Sequence, residues 1–217
     1  MLRVQFVFVG EGSSDAALVP HLEQLCVEAG AEEARGEALD LRCWPRRTGS
    51  RVVDKVIAAL ELHPTADLLF VHRDADDADP EPRHREIAAA VEEAREKVRG
   101  VAVVPVQELE AWLLFDEAAI RRVAENPGGR MPLQLPAPER VEYLGQPKER
   151  LMHLLAVASE LSSRRLERFK KSFPRRRYLL LELLDTDGPL RRVPAWQRLC
   201  ADLERALALL LSPRETP

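Results

Sequence analysis

Residues 68–76 read LLFVHRDAD: four apolar residues, then His-Arg, then an Asp-Ala-Asp triplet. A short apolar run that ends in a polar turn is typical of a strand covered by helices on both faces. The same pattern stands at the N-terminus, where the mostly apolar residues 2–9 run into a Gly-Glu-Gly turn at 10–12. The sequence therefore predicts two buried strands, each followed directly by acidic residues.

The rest of the first half alternates between the two kinds of element. Apolar periodicity predicts helices after residue 13 and over 50–62 and 80–99, and further strands over 38–44 and 101–106. Strands that alternate with helices indicate a parallel sheet with right-handed crossovers. We therefore predict an α/β fold for residues 1–117, with a parallel four-stranded sheet flanked by helices.

The second half of the chain has a different character. Residues 126–147 are rich in Pro and Gly and are predicted to form a loop. Periodicity predicts one long helix over 148–171 and a closing amphipathic helix over 194–211, whereas the apolar run at 178–184 does not indicate its type. We predict that residues 118–217 form a helical extension packed on the α/β domain.

Composition excludes several classes of protein. The chain has 217 residues and a formal net charge of -4, and it contains no apolar run of membrane-spanning length and no secretory signal. Three scattered cysteines, Cys26, Cys43 and Cys200, lack the spacing of a zinc site and give no disulfide framework. We predict a cytoplasmic protein that is not associated with a membrane.

Residues 164–177 form a basic segment with eight basic residues and one acid. A local basic face can bind phosphates even when the whole chain is acidic, although a solvated helix end would have the same composition. The candidate nucleic-acid-binding residues of this segment are Arg164, Arg165, Arg168, Lys170, Lys171, Arg175, Arg176 and Arg177.

Acidic residues stand at the ends of three predicted strands. Glu11 follows the first strand, Asp74 and Asp76 follow the third, and Glu108 and Glu110 follow the fourth. Parallel sheets bind ligands at the carboxyl ends of their strands, and residues two apart on an extended segment point to one side. We therefore expect Asp74 and Asp76 to face one site.

Clustered carboxylates repel one another, and a hard divalent cation relieves that repulsion. Mg²⁺ binds through one or two carboxylates together with waters and substrate phosphate, which suits phosphodiester cleavage or transfer. Simpler alternatives exist for each acid: Glu11 as a turn residue, the Asp-rich run as a cap for the next helix, and Glu108 and Glu110 as acids of a first helical turn. The three placements together favour a site.

These residues also resemble a known family. Glu11-Gly12 after a strand, with Asp15 in the next helix, resembles the glutamate motif of TOPRIM domains, and Asp74-Ala75-Asp76 resembles their DxD motif. Residues 108–116 (ELEAWLLFD) and 147–151 (PKERL) resemble small stand-alone bacterial TOPRIM-like proteins related to OLD-type nucleases. Such proteins are often encoded beside ATPases and are suspected of defending the cell against mobile DNA.

The resemblance implies roles for individual residues. Asp74 and Asp76 would hold Mg²⁺ or Mn²⁺, and Glu11 would act as general acid or base or bind a second metal ion. Glu110 would complete this catalytic and metal-binding set, with Glu108 the weaker candidate of that pair. Lys148 would approach the substrate phosphate, although a surface lysine at a helix start is the simpler interpretation.

Two further residues are assigned structural roles. Trp112 is expected in the core, and Asp116 is expected to cap the helix that follows it. The implied function is a metal-dependent nuclease that acts on DNA or RNA. One alternative is a non-catalytic or partner-activated subunit that docks to an ATPase or to itself as a homo-oligomer; the chain has no phosphate-binding GxxxxGK[ST] loop of its own. A further alternative is another phosphoryl-transfer activity at the same metal site, such as hydrolysis of small nucleotides.

Overall fold

The computed structural model describes residues 2–41, 48–94 and 98–211. Its contacts divide the chain into two compact units. We call the first the sheet unit (Met1–Arg73, Pro80–Val104 and Arg198–Pro217) and the second the helical unit (Asp74–Asp79 and Pro105–Gln197). The predicted boundary between residues 117 and 118 falls inside the helical unit. No helix among the described residues is long and apolar enough to cross a membrane.

The sheet unit is built on four parallel strands in the order β2-β1-β3-β4. The strands are β1 (Arg3–Val9), β2 (Glu33–Ala38), β3 (Leu68–His72) and β4 (Arg99–Val103). All five residues of β3 are buried, as expected for a central strand covered on both faces. The predicted α/β fold with a four-stranded parallel sheet is therefore confirmed.

Three α-helices and part of a fourth accompany the strands. They are α1 (Val19–Glu28), which a 3-10 turn over Ser13–Leu18 precedes, α2 (Val52–Leu62), α3 (Glu81–Glu93) and the later part of the C-terminal helix. The predicted helix over 80–99 is thus shorter than expected, and residues 95–97 of that prediction lie outside the described residues. Apolar periodicity located all of these helices.

The prediction for the second strand was wrong in position. β2 occupies Glu33–Ala38, whereas the prediction was 38–44, of which 42–44 lie outside the described residues. This strand lies at the edge of the sheet and is paired with β1. An edge strand buries little of its surface, and its sequence, EARGEA, contains no apolar run by which it could have been recognised. Its Gly36 lies under the ring of Phe6, where a Cβ atom would come within 2.1 Å of the ring.

The helical unit contains α4 (Glu117–Val123), α5 (Pro147–Ser159), α6 (Ser163–Lys171), α7 (Phe173–Glu182) and the first residues of α8 (Pro194–Leu211). Trp112 and Trp196 are buried in its core with their rings edge to face, 5.0 Å apart between centroids. Asp116 accepts a hydrogen bond from Ala119 N at 2.9 Å. The predicted core position of Trp112 and the predicted cap at Asp116 are both confirmed.

The predicted single helix over 148–171 was also wrong, because it is broken into α5 and α6. Glu160 adopts a left-handed conformation with φ 52°, which ends α5. The Glu160 carboxylate accepts hydrogen bonds from the amides of Arg130 and Met131, at 2.5 and 2.8 Å, so it ties the preceding loop to the break. Apolar spacing continues across residues 160–162 and gives no sign of this break.

Candidate functional site

The sheet unit places Glu11 at the point where the strand order reverses. The chain runs from β1 to β2 on one side and returns to β3 on the other, and ligands of open parallel sheets bind beyond the carboxyl ends of the strands at such a point. Val9 and Val71 are paired in register near the ends of these two strands. Glu11 and Arg73 each lie two residues further on, so the sheet brings them together.

Glu11 and Arg73 form an ion pair there, with 2.5 Å between Arg73 Nε and Glu11 Oε1. Arg73 also contacts Glu86 of α3, at 3.3 Å from Nη1 to Oε1. The Arg73 side chain is 20% exposed and that of Glu11 is 31% exposed, so the attraction is stronger than in a fully exposed pair. The sequence showed a polar residue at 73 where an apolar strand was expected, but it did not show this pairing.

A buried pair supports the turn that carries Glu11. Asp15 Oδ2 lies 3.2 Å from His72 Nδ1, and it also accepts a hydrogen bond from Gly12 N at 2.9 Å. His72 is 1% exposed, so its ring belongs to the core of the sheet unit. The Asp15 carboxylate therefore holds the turn after β1 against the buried ring of His72.

In the helical unit, residues 74–79 run beside residues 105–109. Ala75 N donates to Pro105 O at 3.1 Å and Asp76 N donates to Gln107 O at 2.9 Å. The Asp74 side chain continues this pairing, because its Oδ1 accepts a hydrogen bond from Leu109 N at 2.8 Å. Leu109 is the residue between Glu108 and Glu110, so this hydrogen bond ties Asp74 to the segment that carries both glutamates.

We call Asp74, Glu108 and Glu110 the acidic cluster, and its charges affect the pKa of Glu108. Burial raises the pKa of its carboxyl above the ordinary value, and the negative charges of Glu110, Asp74 and Glu149 raise it further. The Lys148 amide, which donates to Glu108 Oε2 at 3.1 Å, partly offsets this rise in pKa. The family resemblance ranked Glu108 below Glu110, whereas in the structure Glu108 is the carboxyl whose pKa the neighbouring acids raise.

Glu110 has an internal counterion. Arg177 Nε donates to Glu110 Oε1 at 2.9 Å, and the two side chains are only 13% and 6% exposed. The neighbouring Arg176 is also buried: it donates to Val123 O, contacts Glu125 at 3.1 Å and stacks on the Phe169 ring. Both arginines therefore lie outside any exposed basic surface, in contrast to the prediction for residues 164–177.

The other six basic residues of this segment are exposed. They lie on α6 and at the start of α7, where Phe169 and Phe173 are buried: Arg164, Arg165, Arg168, Lys170, Lys171 and Arg175. Lys148, predicted to approach a phosphate, is exposed in the first turn of α5. For these seven side chains, contact with nucleic acid stays a prediction.

Asp76 departs from the geometry on which its prediction rested. Its φ is 58°, so the backbone leaves the extended conformation at this residue, and the side chain is exposed. Ala75, expected to point away from the site, is buried. The argument that Asp74 and Asp76 share a face therefore fails, and a metal-binding role for Asp76 stays a prediction.

The structure thus brings Asp74, Glu108 and Glu110 together in the helical unit and places Glu11 in the sheet unit. Within the described ranges, no group of three or more His, Cys, Asp or Glu side chains is arranged to hold a metal ion. Comparisons with protein-family models, curated proteins and solved structures gave no match to the chain.

Proposed function

We propose that this protein is a TOPRIM-like phosphodiesterase that uses Mg²⁺ or Mn²⁺ to cleave DNA or RNA, and that it serves in defence against mobile DNA. One observation carries the proposal. The Asp74 carboxylate accepts a hydrogen bond from the amide of Leu109, which stands between two glutamates in the sequence, and Asp74 follows the last residue of β3 by two positions. Carboxylates are gathered in this way where a hard cation is to be bound.

The donor chemistry fits Mg²⁺, which binds through one or two carboxylates and completes its shell with waters and substrate phosphate. Asp74 and Glu108 would supply the two carboxylates. When bound, the metal ion polarises the phosphate and lowers the pKa of a bound water. Glu110, bound to Arg177, would orient that arginine toward the cluster, and the roles of Glu11 and Asp76 are proposals to be tested by substitution.

The exposed basic residues of α6 and α7 would contact the nucleic-acid backbone. Phosphate contacts from Arg and Lys position a nucleic acid without reading its sequence. α6 offers such contacts along one side, because Phe169 is buried on the other. This arrangement supports a substrate bound through its phosphates.

A cleavage assay tests the proposal. We expect the purified chain to degrade single-stranded or duplex DNA or RNA in Mg²⁺ or Mn²⁺, and to lose that activity when EDTA removes the metal. Activity that persists in EDTA would contradict a metal-dependent reaction. Absence of cleavage with every substrate and both metals would favour the second candidate function below.

Binding to nucleic acid is expected to weaken steeply with salt. Each phosphate contact contributes a slope of about -0.7 to -0.9 to a plot of log affinity against log salt. The double variant Arg164→Gln/Arg165→Gln should therefore make this slope shallower by about one to two. Fluorescence anisotropy at several salt concentrations measures this slope.

The matched control for that experiment is Arg3→Gln/Arg35→Gln, which removes two exposed arginines from the sheet unit. We expect the control to keep the slope of the unmodified protein. Equal losses in the two double variants would show that general charge, and not α6, governs binding.

The second candidate is a partner-activated subunit that docks to an ATPase. The two arginine pairs favour it, because Arg73 and Arg177 already neutralise two of the four predicted metal-binding carboxylates. An enzyme held inactive until a partner moves these arginines would show such pairs. Co-expression with an ATPase of the kind often encoded beside such TOPRIM-like proteins should then produce cleavage that neither chain shows alone.

A further inference from the structure

The helical unit contains a cavity of about 690 Å³ between α5 and the loop that follows α4. Its apolar wall includes Leu114, Leu133 and Leu144, and its polar groups include Gln134 and His153. Cavities of 300–1,000 Å³ with mostly apolar walls and a few polar groups are typical of small-molecule sites. This cavity therefore has the size and lining to receive one flat, partly polar group.

Helix α5 connects this cavity to the acidic cluster. Its first turn meets the cluster, since the Lys148 amide donates to Glu108, and its outer face lines the cavity through Arg150, His153 and Val157. With a rise of 1.5 Å per residue, Lys148 and His153 are about 7.5 Å apart along the helix axis. Helix α5 therefore carries both the amide that bonds Glu108 and three side chains of the cavity wall.

The wall of the cavity is held in place before any ligand arrives. Arg150 Nε donates to Gly145 O at 2.8 Å, and Gln146 N donates to the side chain of Gln107 at 3.2 Å. Gln146 is in a left-handed conformation and Pro147 begins α5, so the turn that leads into α5 has little conformational freedom. A preformed site loses less conformational entropy on binding than a flexible one.

We propose that this cavity receives an unpaired nucleobase of the substrate strand, so that the substrate is single-stranded or locally unpaired nucleic acid. A nucleobase has apolar faces and polar edges, which the leucines and the side chains of Gln134 and His153 complement. Tyr143, next to Leu144, is 82% exposed and offers a ring on which a neighbouring base stacks. This inference rests on the proposed function only for its claim that the ligand is a nucleic acid.

The test measures binding in EDTA, where no metal-dependent cleavage occurs. The probes are a fluorescent single strand of roughly ten nucleotides and a duplex of the same sequence, a length within the usual site size of single-strand binders. We expect the unmodified protein to bind the single strand about tenfold more tightly than the duplex, as one stacked base would provide. Fluorescence anisotropy gives both dissociation constants.

Two substitutions locate the preference. Val157→Phe adds an aromatic ring to the cavity wall and should weaken single-strand binding about tenfold while leaving duplex binding unchanged. Met152→Phe is the matched control, because Met152 is a half-buried residue of the same helix that does not line the cavity. Tyr143→Ala, at an exposed position that does not threaten the fold, should also weaken single-strand binding, and Tyr143→Phe should restore it.

Three results would overturn the assignment: equal affinity for the two probes, no binding of either, or a Val157→Phe variant that binds both probes as the Met152→Phe control does. Binding of an apolar peptide in competition with the single strand would instead identify the cavity as a protein-docking site. Single-strand preference without cleavage in Mg²⁺ would support the cavity and contradict only the proposed reaction.

Discussion

Replacing Asp74 by asparagine is expected to reduce metal-dependent cleavage about a thousandfold, or about 4 kcal/mol of transition-state stabilisation. The asparagine keeps an oxygen that can accept the hydrogen bond from Leu109 N, so the loop should stay in place. What it removes is the negative charge that would hold the metal. Rates measured with saturating Mg²⁺ and Mn²⁺ check the expected loss, and a calorimetric titration with Mn²⁺ should show weaker binding.

The matched control is Asp77→Asn, in the same acidic loop. Asp77 is exposed, and its carboxylate accepts a local hydrogen bond from the amide of Ala78. This variant makes the same change in charge and should keep activity within a factor of about two, as surface substitutions usually have small effects. If both variants cleave equally well, the catalytic metal is bound elsewhere in the protein.

Replacing Arg177 by methionine is expected to lower the free energy of unfolding by about 3–5 kcal/mol. The loss follows because Glu110, only 6% exposed, would be left as a buried charge without its partner. Urea denaturation followed by circular dichroism measures the change. Lys171→Met, an exposed position on α6, should change stability by less than about 0.5 kcal/mol.

A second substitution separates two causes of the lower stability of Arg177→Met: the uncompensated charge of Glu110 and the lost packing of the arginine side chain. Adding Glu110→Gln to Arg177→Met removes the uncompensated charge and should recover most of the stability. Mn²⁺ should also stabilise Arg177→Met more than the unmodified protein, because the cation can neutralise the acidic cluster that has lost its arginine. An equal loss with and without Glu110 would mean that Arg177 acts through its contacts and not through its charge.

The elements that the sequence located correctly share a clear physical signal. β3 and the second half of β1, residues 6–9, are apolar and buried on both faces because they lie inside the sheet, and the helices show a single apolar side. β2 gave no such signal, since an edge strand with the sequence EARGEA buries little of its surface. The break at Glu160 depends on backbone conformation and on hydrogen bonds to residues 130 and 131, which periodicity does not encode.

The candidate site divides in the same way. The sequence predicted that acidic residues follow the ends of the strands. In the structure, Asp74, Glu108 and Glu110 come together in the helical unit. The arginine partners were not predicted, because Arg177 is 67 residues from Glu110 in the sequence and pairs with it only through the tertiary fold. The basic segment in the sequence therefore contains two kinds of arginine: exposed ones on α6 and at the start of α7, and the counterions Arg176 and Arg177 further along α7.

The discontinuous sheet unit has a consequence for the nascent chain. Its last segment includes Arg198–Leu211, whose Leu199, Leu203 and Leu207 are buried, and a ribosome makes this segment only after all of the helical unit. At about 5–20 residues per second, the strands wait for several seconds before that helix emerges. During synthesis the helical unit can therefore finish folding first, and a fragment ending at residue 117 would lack part of the sheet unit's core.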